Sequence, residues 1–271
     1  MTSKYGLIGE RLGHSFSPQI HNEILKRLDI DGEYMLFELS PDELFPSLSK
    51  YREQGIKGLN ITVPYKIKVM SFLDSISEEA EKIGAVNTIS LEGGLLKGYN
   101  TDYYGFGMSL AKNNIRVAGK SAVILGTGGV SRAVSQYLRD NGAGSITYIS
   151  RNPGEGIRGY DELESLKGEI IINCTPCGMY PGIDCSPVGE AVFDGYETAV
   201  DLIYNPEETL FLRQARKKRL KTMNGLYMLV GQAVCAQEIW NGRKLTEAQA
   251  DEVYQCIRDM LYKTAAGESH A

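Results

Sequence analysis

Residues 120–133, KSAVILGTGGVSRA, constrain the fold more than any other stretch of the chain. Ser121 to Leu125 reads as a short buried strand, and Gly126, Gly128 and Gly129 follow at once. A helical pattern then runs from Val130 to about Asn141, and Gly142 sits where a helix end takes a left-handed residue. Strand, glycine turn and helix in that order are the setting of a dinucleotide fingerprint. The glycines let the backbone turn sharply against a pyrophosphate, and the helix N-terminus offers free N–H groups and the positive end of its dipole. The third small position of G-x-G-x-x-G is Ser131 here. A glycine turn can be purely structural, but strand and helix together favour nucleotide binding.

The 271 residues suffice for two domains, and 42% hydrophobic with 23% charged residues describes an ordinary globular protein. A net charge of −5 argues against nucleic acid as the main partner. The basic run Arg213 to Lys221 lies in a helical pattern with Leu212, Ala215 and Leu220 available for a buried stripe, so it reads as a solvated helix face. No run of 18 apolar residues is present and the first residues lack a signal-peptide layout, which points away from membrane and towards the cytoplasm. Five cysteines, an odd number, suit a reducing compartment better than a disulfide scaffold. Cys174 and Cys177 form a C-x-x-C, but they follow the buried-strand pattern Glu169 to Asn173 and flank Thr175-Pro176, so a thioredoxin-like role is not favoured. His14, His21 and His270 make no metal spacing with the cysteines, and no metal is expected.

The first hundred residues alternate strand and helix. Strands are expected at Tyr5–Gly9, Tyr34–Leu39 and Gly58–Val63. Helices are expected at Pro18–Leu28, Asp42–Tyr51 (Ser40 as N-cap), Tyr65–Leu73 and Ser77–Ile83. This order predicts a small, mostly parallel sheet. Ser17 is placed as an N-cap before Pro18, with Ser15 two residues earlier; two hydroxyls there serve a carboxylate or simply cap the helix. The third strand ends in Asn60-Ile61-Thr62-Val63-Pro64-Tyr65-Lys66, which puts Asn60 and Thr62 on one face. A polar face at the carboxyl end of a parallel strand is where α/β sheets bind ligands, and Lys66 stands just beyond it. Gly93-Gly94 is a hairpin turn, so opposed residues have numbers summing to 187. Asn87 then faces Asn100, with Asp102 further along the same side; the three line either a ligand site or an exposed hairpin face.

Tyr103 to Asn114 reads as a linking helix, and Ser145 to Ser150 as the next strand of the glycine-turn unit. An NAD enzyme usually carries an acid at the end of this strand. Here Ser150-Arg151-Asn152-Pro153 has none, and Arg151 suits the 2′-phosphate of NADP. Further strands are expected at Ile170–Asn173 and Ala199–Ile203, the latter ending in Tyr204-Asn205-Pro206 at a crevice. A helix follows from Thr209 to Arg219, and a turn at Met223-Asn224-Gly225. Helices at Leu226–Trp240, with Gln232 as a polar exception, and Asp251–Tyr262 return the chain to the first domain, before a frayed tail from Thr264.

Together these motifs resemble the shikimate dehydrogenase family over nearly the whole chain. The resemblance rests on Ser15-Phe16-Ser17-Pro18, Asn60-Ile61-Thr62-Val63-Pro64-Tyr65-Lys66, Gly84-Ala85-Val86-Asn87-Thr88 and Asn100-Thr101-Asp102. It continues through Gly126 to Ala133, Asn173 to Met179, Asp201 to Pro206 and Gly225 to Gln232. It implies a two-domain α/β fold: an N-terminal α/β substrate domain (residues 1–102 and 226–271) and a Rossmann-type doubly wound dinucleotide-binding domain (residues 103–225), with a cleft between them. The implied reaction is NADPH-dependent, reversible reduction of 3-dehydroshikimate to shikimate in aromatic amino-acid biosynthesis. The resemblance implies Lys66 and Asp102 as the catalytic pair and Ser15 and Ser17 on the substrate carboxylate. It places Asn60, Thr62, Asn87 and Gln232 on ring hydroxyls, with Tyr204 nearby. Gly126, Thr127, Gly128, Gly129, Ser150, Arg151, Asn152, Gly225 and Met228 would hold NADP. Thr127 stands where the family usually has Ala, Ser150 and Asn152 flank Arg151 in place of Asn and Thr, and Asn224 replaces a frequent Asp. The nearest alternative is a quinate/shikimate dehydrogenase using NAD or NADP. A binding module without catalysis has no need of the Lys66 and Asp102 pair. A small-molecule substrate is the expected partner, and the sequence leaves a homodimer open.

Overall fold

The computed structural model describes residues 2–13 and 15–268; His14 and the end of the expected tail, with His270, lie outside the described residues. The chain divides into two compact units, residues 1–105 with 230–271, and residues 106–229.

The first unit opens with β1 (Ser3–Gly9), α1 (Ser17–Arg27), β2 (Gly32–Glu38), α2 (Leu44–Glu53), β3 (Ile56–Ile61) and α3 (Tyr65–Lys68). A 3₁₀ turn, Val69–Phe72, extends α3, and β4 (Ser75–Ile76), α4 (Glu78–Ile83), β5 (Thr88–Glu92), β6 (Leu95–Tyr99) and α5 (Thr101–Lys112) follow, α5 passing into the second unit after Gly105. The strand order is β2-β1-β3-β5-β6-β4. β1 pairs parallel with β2 and β3, but β5 lies antiparallel to both β3 and β6. The expected mostly parallel sheet is therefore mixed, because the hairpin folds back directly beside β3. Its register is the expected one: Thr88 opposes Tyr99, Ser90 opposes Lys97 and Glu92 opposes Leu95.

α2 starts at Leu44, two residues later than expected, because Glu43 reaches back to the Ser40 amide and closes a turn first. Likewise Phe16, not Ser17, is the N-cap of α1, and Ser17 is its first helical residue.

The second unit continues with β7 (Ser121–Leu125), α6 (Gly129–Asp140), β8 (Ser145–Ile149), β9 (Ile157–Arg158), β10 (Ile170–Asn173), β11 (Thr198–Asp201), α7 (Leu210–Lys217) and β12 (Lys221–Met223). Then α8 (Leu226–Asn241) carries the chain back to the first unit, where α9 (Glu247–Glu268) ends the described residues. The sheet order is β12-β11-β10-β7-β8-β9 and every pair is parallel, the doubly wound order of dinucleotide-binding folds. Its strands are buried on both faces: Val123 and Leu125 enter one apolar cluster with Phe211, and Ala122 and Ile124 another with Phe106 and Val134. α6 ends as expected, with the Ala143 and Gly142 amides bonded back to Leu138 and Arg139. The expected turn at 223–225 instead begins with an edge strand, β12, and α9 starts four residues before Asp251 and continues past Thr264. The basic run is a solvated face: Phe211, Leu212 and Ala215 are buried, while Arg216, Lys217 and Lys218 pair with Glu208, Glu190 and Asp194.

The cysteines depart from expectation. Cys177 is joined to Cys185, with Cα atoms 5.7 Å apart, and Cys174 is free. Cys174 continues straight from β10 and its thiol is held in the protonated form by burial, so the C-x-x-C does not close. In the chain-entropy view a loop this short stabilises the fold by about 2.5 kcal/mol. Denatured but unreduced protein is expected to alkylate at Cys174, Cys235 and Cys256 only, and at all five cysteines after reduction. Mass spectrometry reads the difference, and five alkylations without reductant would contradict the bridge.

Candidate functional site

The polar residues of the first unit converge because of its sheet order. β1 and β3 run parallel, so the loop after Gly9 and the segment after Ile61 leave at one edge. β5 runs against β3, with Asn60 opposite Thr88, so Asn87 enters at that same edge. β6 opposes β5, so Asn100 and the start of α5 arrive there too.

At this edge the Lys66 ammonium lies 2.6 Å from Asp102 Oδ2, with side chains 17% and 11% exposed. Two anchors set Lys66: the neighbouring Tyr65 is buried and donates its hydroxyl to the Leu39 carbonyl, and the Lys66 carbonyl accepts from the Val86 amide at 2.8 Å. Asp102 sits in the first turn of α5, where the helix dipole favours a carboxylate. It thus leaves the hairpin line, contrary to the expected extended continuation, because Asn100 caps the helix. Asn100 Oδ1 accepts from the Tyr103 amide and its Nδ2 donates to the Ala85 carbonyl at 2.8 Å. Asn100 is consumed in the fold, and the hairpin face is buried rather than exposed.

Asn87 and Asn60 belong to a buried network. Asn87 Oδ1 accepts from the Thr101 amide at 2.7 Å and from the Thr88 hydroxyl at 3.1 Å. Asn60 Oδ1 accepts from the Tyr34 hydroxyl at 2.7 Å, and its Nδ2 donates to Thr88 Oγ1 at 3.0 Å. Sequence reading missed Tyr34, Thr88 and Thr101, since nothing local marks residues whose partners are distant in sequence. Thr62 and Gln232 are half-buried within the same unit. Ser15 and Ser17 are half-buried neighbours, with their hydroxyls 3.1 Å apart. Neither supplies a side-chain cap from the N-cap position, which removes the plain-capping account of Ser17.

Behind Asn60, the His21 ring stacks on Tyr34 at 4.0 Å and is fully buried. Burial pushes its pKa from 6.5 down to about 3. The folded state therefore resists a proton that the unfolded chain accepts. Stability from this group is complete above pH 6.5 and is lost as pH falls towards 3, on the order of 5 kcal/mol in all. The melting temperature is expected to drop on acidification from pH 7 to 4, and His21→Phe should flatten that slope. An unchanged slope would place the acid sensitivity elsewhere.

In the second unit the glycine turn occupies the crevice between β7 and β10, where the sheet order reverses. Gly126 has φ +98°, and a Cβ there would press on Thr175 and Cys174. Gly128 is the N-cap of α6 and no side chain caps that end, which leaves the helix terminus suited to a phosphate. Ser131 fills the third small position by turning its hydroxyl back to the Gly128 carbonyl at 2.7 Å. Thr127 and Arg151 are exposed, and Ser150 Oγ accepts from the Asn152 amide, which shapes the loop after β8. The turn, the uncapped helix end and an arginine without an acid fit an NADP phosphate set.

Tyr204 is half-buried, and burial raises its phenol above the ordinary range. Gly225 is a packing residue: a Cβ would stand 1.9 Å from the Leu202 carbonyl oxygen. Met228 is buried in the apolar cluster with Ile172 and Val200. Sequence reading also missed Asp201. Its carboxylate takes Asn173 Nδ2 at 3.0 Å and Thr209 Oγ1 at 2.6 Å, tying two crevice loops together, and burial pushes its pKa up to about 6.

Among the described residues no group of three or more His, Cys, Asp or Glu is placed to hold a metal, and no helix is long and apolar enough to cross a membrane.

Comparison with known proteins agrees with this architecture. Residues 7–89 match the family described as the shikimate dehydrogenase substrate binding domain. A shikimate dehydrogenase (NADP(+)) of Clostridium perfringens is 46% identical over 265 residues, covering 94% of this chain and 98% of the relative. The solved chorismate mutase/shikimate 5-dehydrogenase fusion protein from Clostridium acetobutylicum superimposes with a TM-score of 0.94 at 47% identity, over 96% of this chain and 99% of that one. Shikimate 5-dehydrogenase from Thermus thermophilus, solved in complex with NADP(H) and shikimate, gives 0.85 at 31% identity, over 94% and 99%. With identity of this order over almost its full length, the chain belongs to the shikimate dehydrogenase family.

Proposed function

We propose that the chain reversibly reduces 3-dehydroshikimate to shikimate with NADPH, the family's step in aromatic amino-acid biosynthesis, and that Lys66 and Asp102 handle the proton. The observation that carries this reading is the 2.6 Å Lys66–Asp102 pair at a sheet edge lined by Asn60 and Asn87. NADPH, when bound, would supply the hydride for the carbonyl carbon. The Lys66 ammonium donates its proton to the carbonyl oxygen and regains one from solvent; in the oxidative direction its amine accepts the hydroxyl proton. Asp102 keeps Nζ aimed at the reacting oxygen. Ser15 and Ser17 donate to the substrate carboxylate. Asn60, Thr62, Asn87 and Gln232 hold ring hydroxyls, and Tyr204 is assigned to the substrate as well. Residues 126–129 would hold the pyrophosphate, and Arg151, between Ser150 and Asn152, would pair with the 2′-phosphate.

The test is the absorbance of reduced nicotinamide, with shikimate and NADP, then with NAD, then with quinate. Rapid reduction with shikimate and NADP alone is expected. Comparable rates with NAD or quinate would move the protein to the dual-specificity branch, and no reduction with any pair would leave a binding module. Arg151→Ala is expected to raise KM for NADP by about 10–100-fold, the weight of a charge-assisted hydrogen bond, while rates with NAD stay within about threefold. An equal loss with both cofactors would remove Arg151 from 2′-phosphate recognition.

A further inference from the structure

The network behind the substrate edge fixes which atoms of Asn60 and Asn87 face a ligand, and backbone groups settle the assignment. The Thr101 amide can only donate, so the Asn87 atom 2.7 Å from it is Oδ1. That oxygen also takes the Thr88 and Thr101 hydroxyls, so only Nδ2 of Asn87 is left for a ligand. The Asn87 carbonyl can only accept, so the Asn60 atom 3.3 Å from it is Nδ2. Its second hydrogen goes to Thr88 Oγ1, so Asn60 has no donor to spare. One lone pair of Asn60 Oδ1 takes the Tyr34 hydroxyl, and the other remains.

Tyr34 is itself locked. The Gln237 carbonyl oxygen identifies Asn241 Nδ2, which also donates to Gln237 Oε1, so Gln237 turns Nε2 towards His21 Nδ1 at 3.0 Å. His21 is thus a neutral ring with its proton on Nε2. Among the described residues that buried nitrogen makes no hydrogen bond of ordinary geometry, Asn60 being its polar neighbour, and the ring stacks on Tyr34 at an interplanar angle of 8°.

We propose that Tyr34, clamped by His21, is a positioning residue that makes Asn60 an acceptor-only subsite opposite a donor-only Asn87. The pocket then takes a polyol whose one hydroxyl donates to Asn60 and whose other hydroxyl accepts from Asn87. This rests on the reading of Asn60 and Asn87 as ring-hydroxyl ligands. Fluorine in place of a hydroxyl cannot donate and accepts weakly, so it separates the two subsites.

The experiment compares shikimate with its 4-fluoro-4-deoxy and 5-fluoro-5-deoxy analogues, for the wild type, Tyr34→Phe and Thr88→Val. In the wild type one analogue is expected to lose about 30-fold or more in kcat/KM and the other no more than about fivefold, because an unmatched buried acceptor costs more than a weakened one. Tyr34→Phe is expected to raise KM for shikimate about 10-fold with kcat within twofold and KM for NADP unchanged, and to cut the larger analogue penalty to below about fivefold. Thr88→Val frees the other side of Asn60 and should erode the same penalty. Thermal melts report folding of each variant. Equal penalties for both analogues in the wild type, or a uniform loss on all three substrates in both variants, would overturn the assignment. Wild-type turnover of shikimate tests the reaction itself; its absence would overturn that reaction and this assignment together.

Discussion

Lys66→Ala is expected to lower kcat by about 10³-fold and to leave KM for shikimate within about threefold, since a positioned acid or base contributes 10²–10⁴. Lys66 Nζ contacts Asp102 Oδ2, and no other hydrogen bond of the ammonium to the protein is seen among the described residues, so its loss removes proton transfer and little ground-state binding. The carboxylate left behind stays in the first turn of α5, where the helix N-terminus stabilises negative charge, so the fold survives. Steady-state kinetics at saturating NADP, beside a thermal melt, make the measurement. Retention of a tenth or more of wild-type kcat would exclude Lys66 as the proton donor. Asp102→Asn should fall between wild type and Lys66→Ala, because it loses the orienting charge but keeps the ammonium.

Asn87→Asp is expected to lose about 10²–10³-fold in kcat/KM while melting within a few degrees of the wild type. The carboxylate still accepts from the Thr101 amide, as Oδ1 does now at 2.7 Å, and a negative charge at that helix start is favourable. What disappears is the Nδ2 donor that the proposed binding mode uses. Asn87→Ala provides the contrast: it strips the acceptor from the buried Thr101 amide and should cost about 2–3 kcal/mol of stability as well as activity. Melting curves that fall equally for Asp and Ala, or full activity in Asn87→Asp, would show that the amide serves the fold alone.

The features legible in the sequence were those with local causes. The glycine turn, the left-handed end of α6 at Gly142 and the hairpin register follow from neighbouring residues, and all three occur where expected. The edge position of Asn60 and Lys66 followed from strand polarity. What stayed hidden depends on distant partners. The first sheet is mixed because β5 pairs back onto β3, which no local pattern encodes. β12 has three residues, too few for a period. The Cys177–Cys185 connectivity could not be read from spacing, and the adjacent Cys174 offered a misleading partner. Tyr34 donates to Asn60 across 26 positions and His21 meets Gln237 across 216, so neither could be recognised as part of a site.

The amide of Asn87 stops one helix, α5, from fraying and, in the proposed binding mode, meets the ligand with its other end. That double use bears on how this protein can change its substrate. Random libraries at Asn60 or Asn87 should consist largely of misfolded members, since each position answers to several buried neighbours at once. Ser15 and Ser17 lie on a half-buried loop, bonded to each other and with Ser17 beside the Tyr34 hydroxyl, and carry fewer obligations to the fold. Under the proposed binding mode, new specificities in this scaffold are more accessible at the end assigned to Ser15 and Ser17 than at the end assigned to Asn60 and Asn87, where productive variants require paired substitutions introduced together.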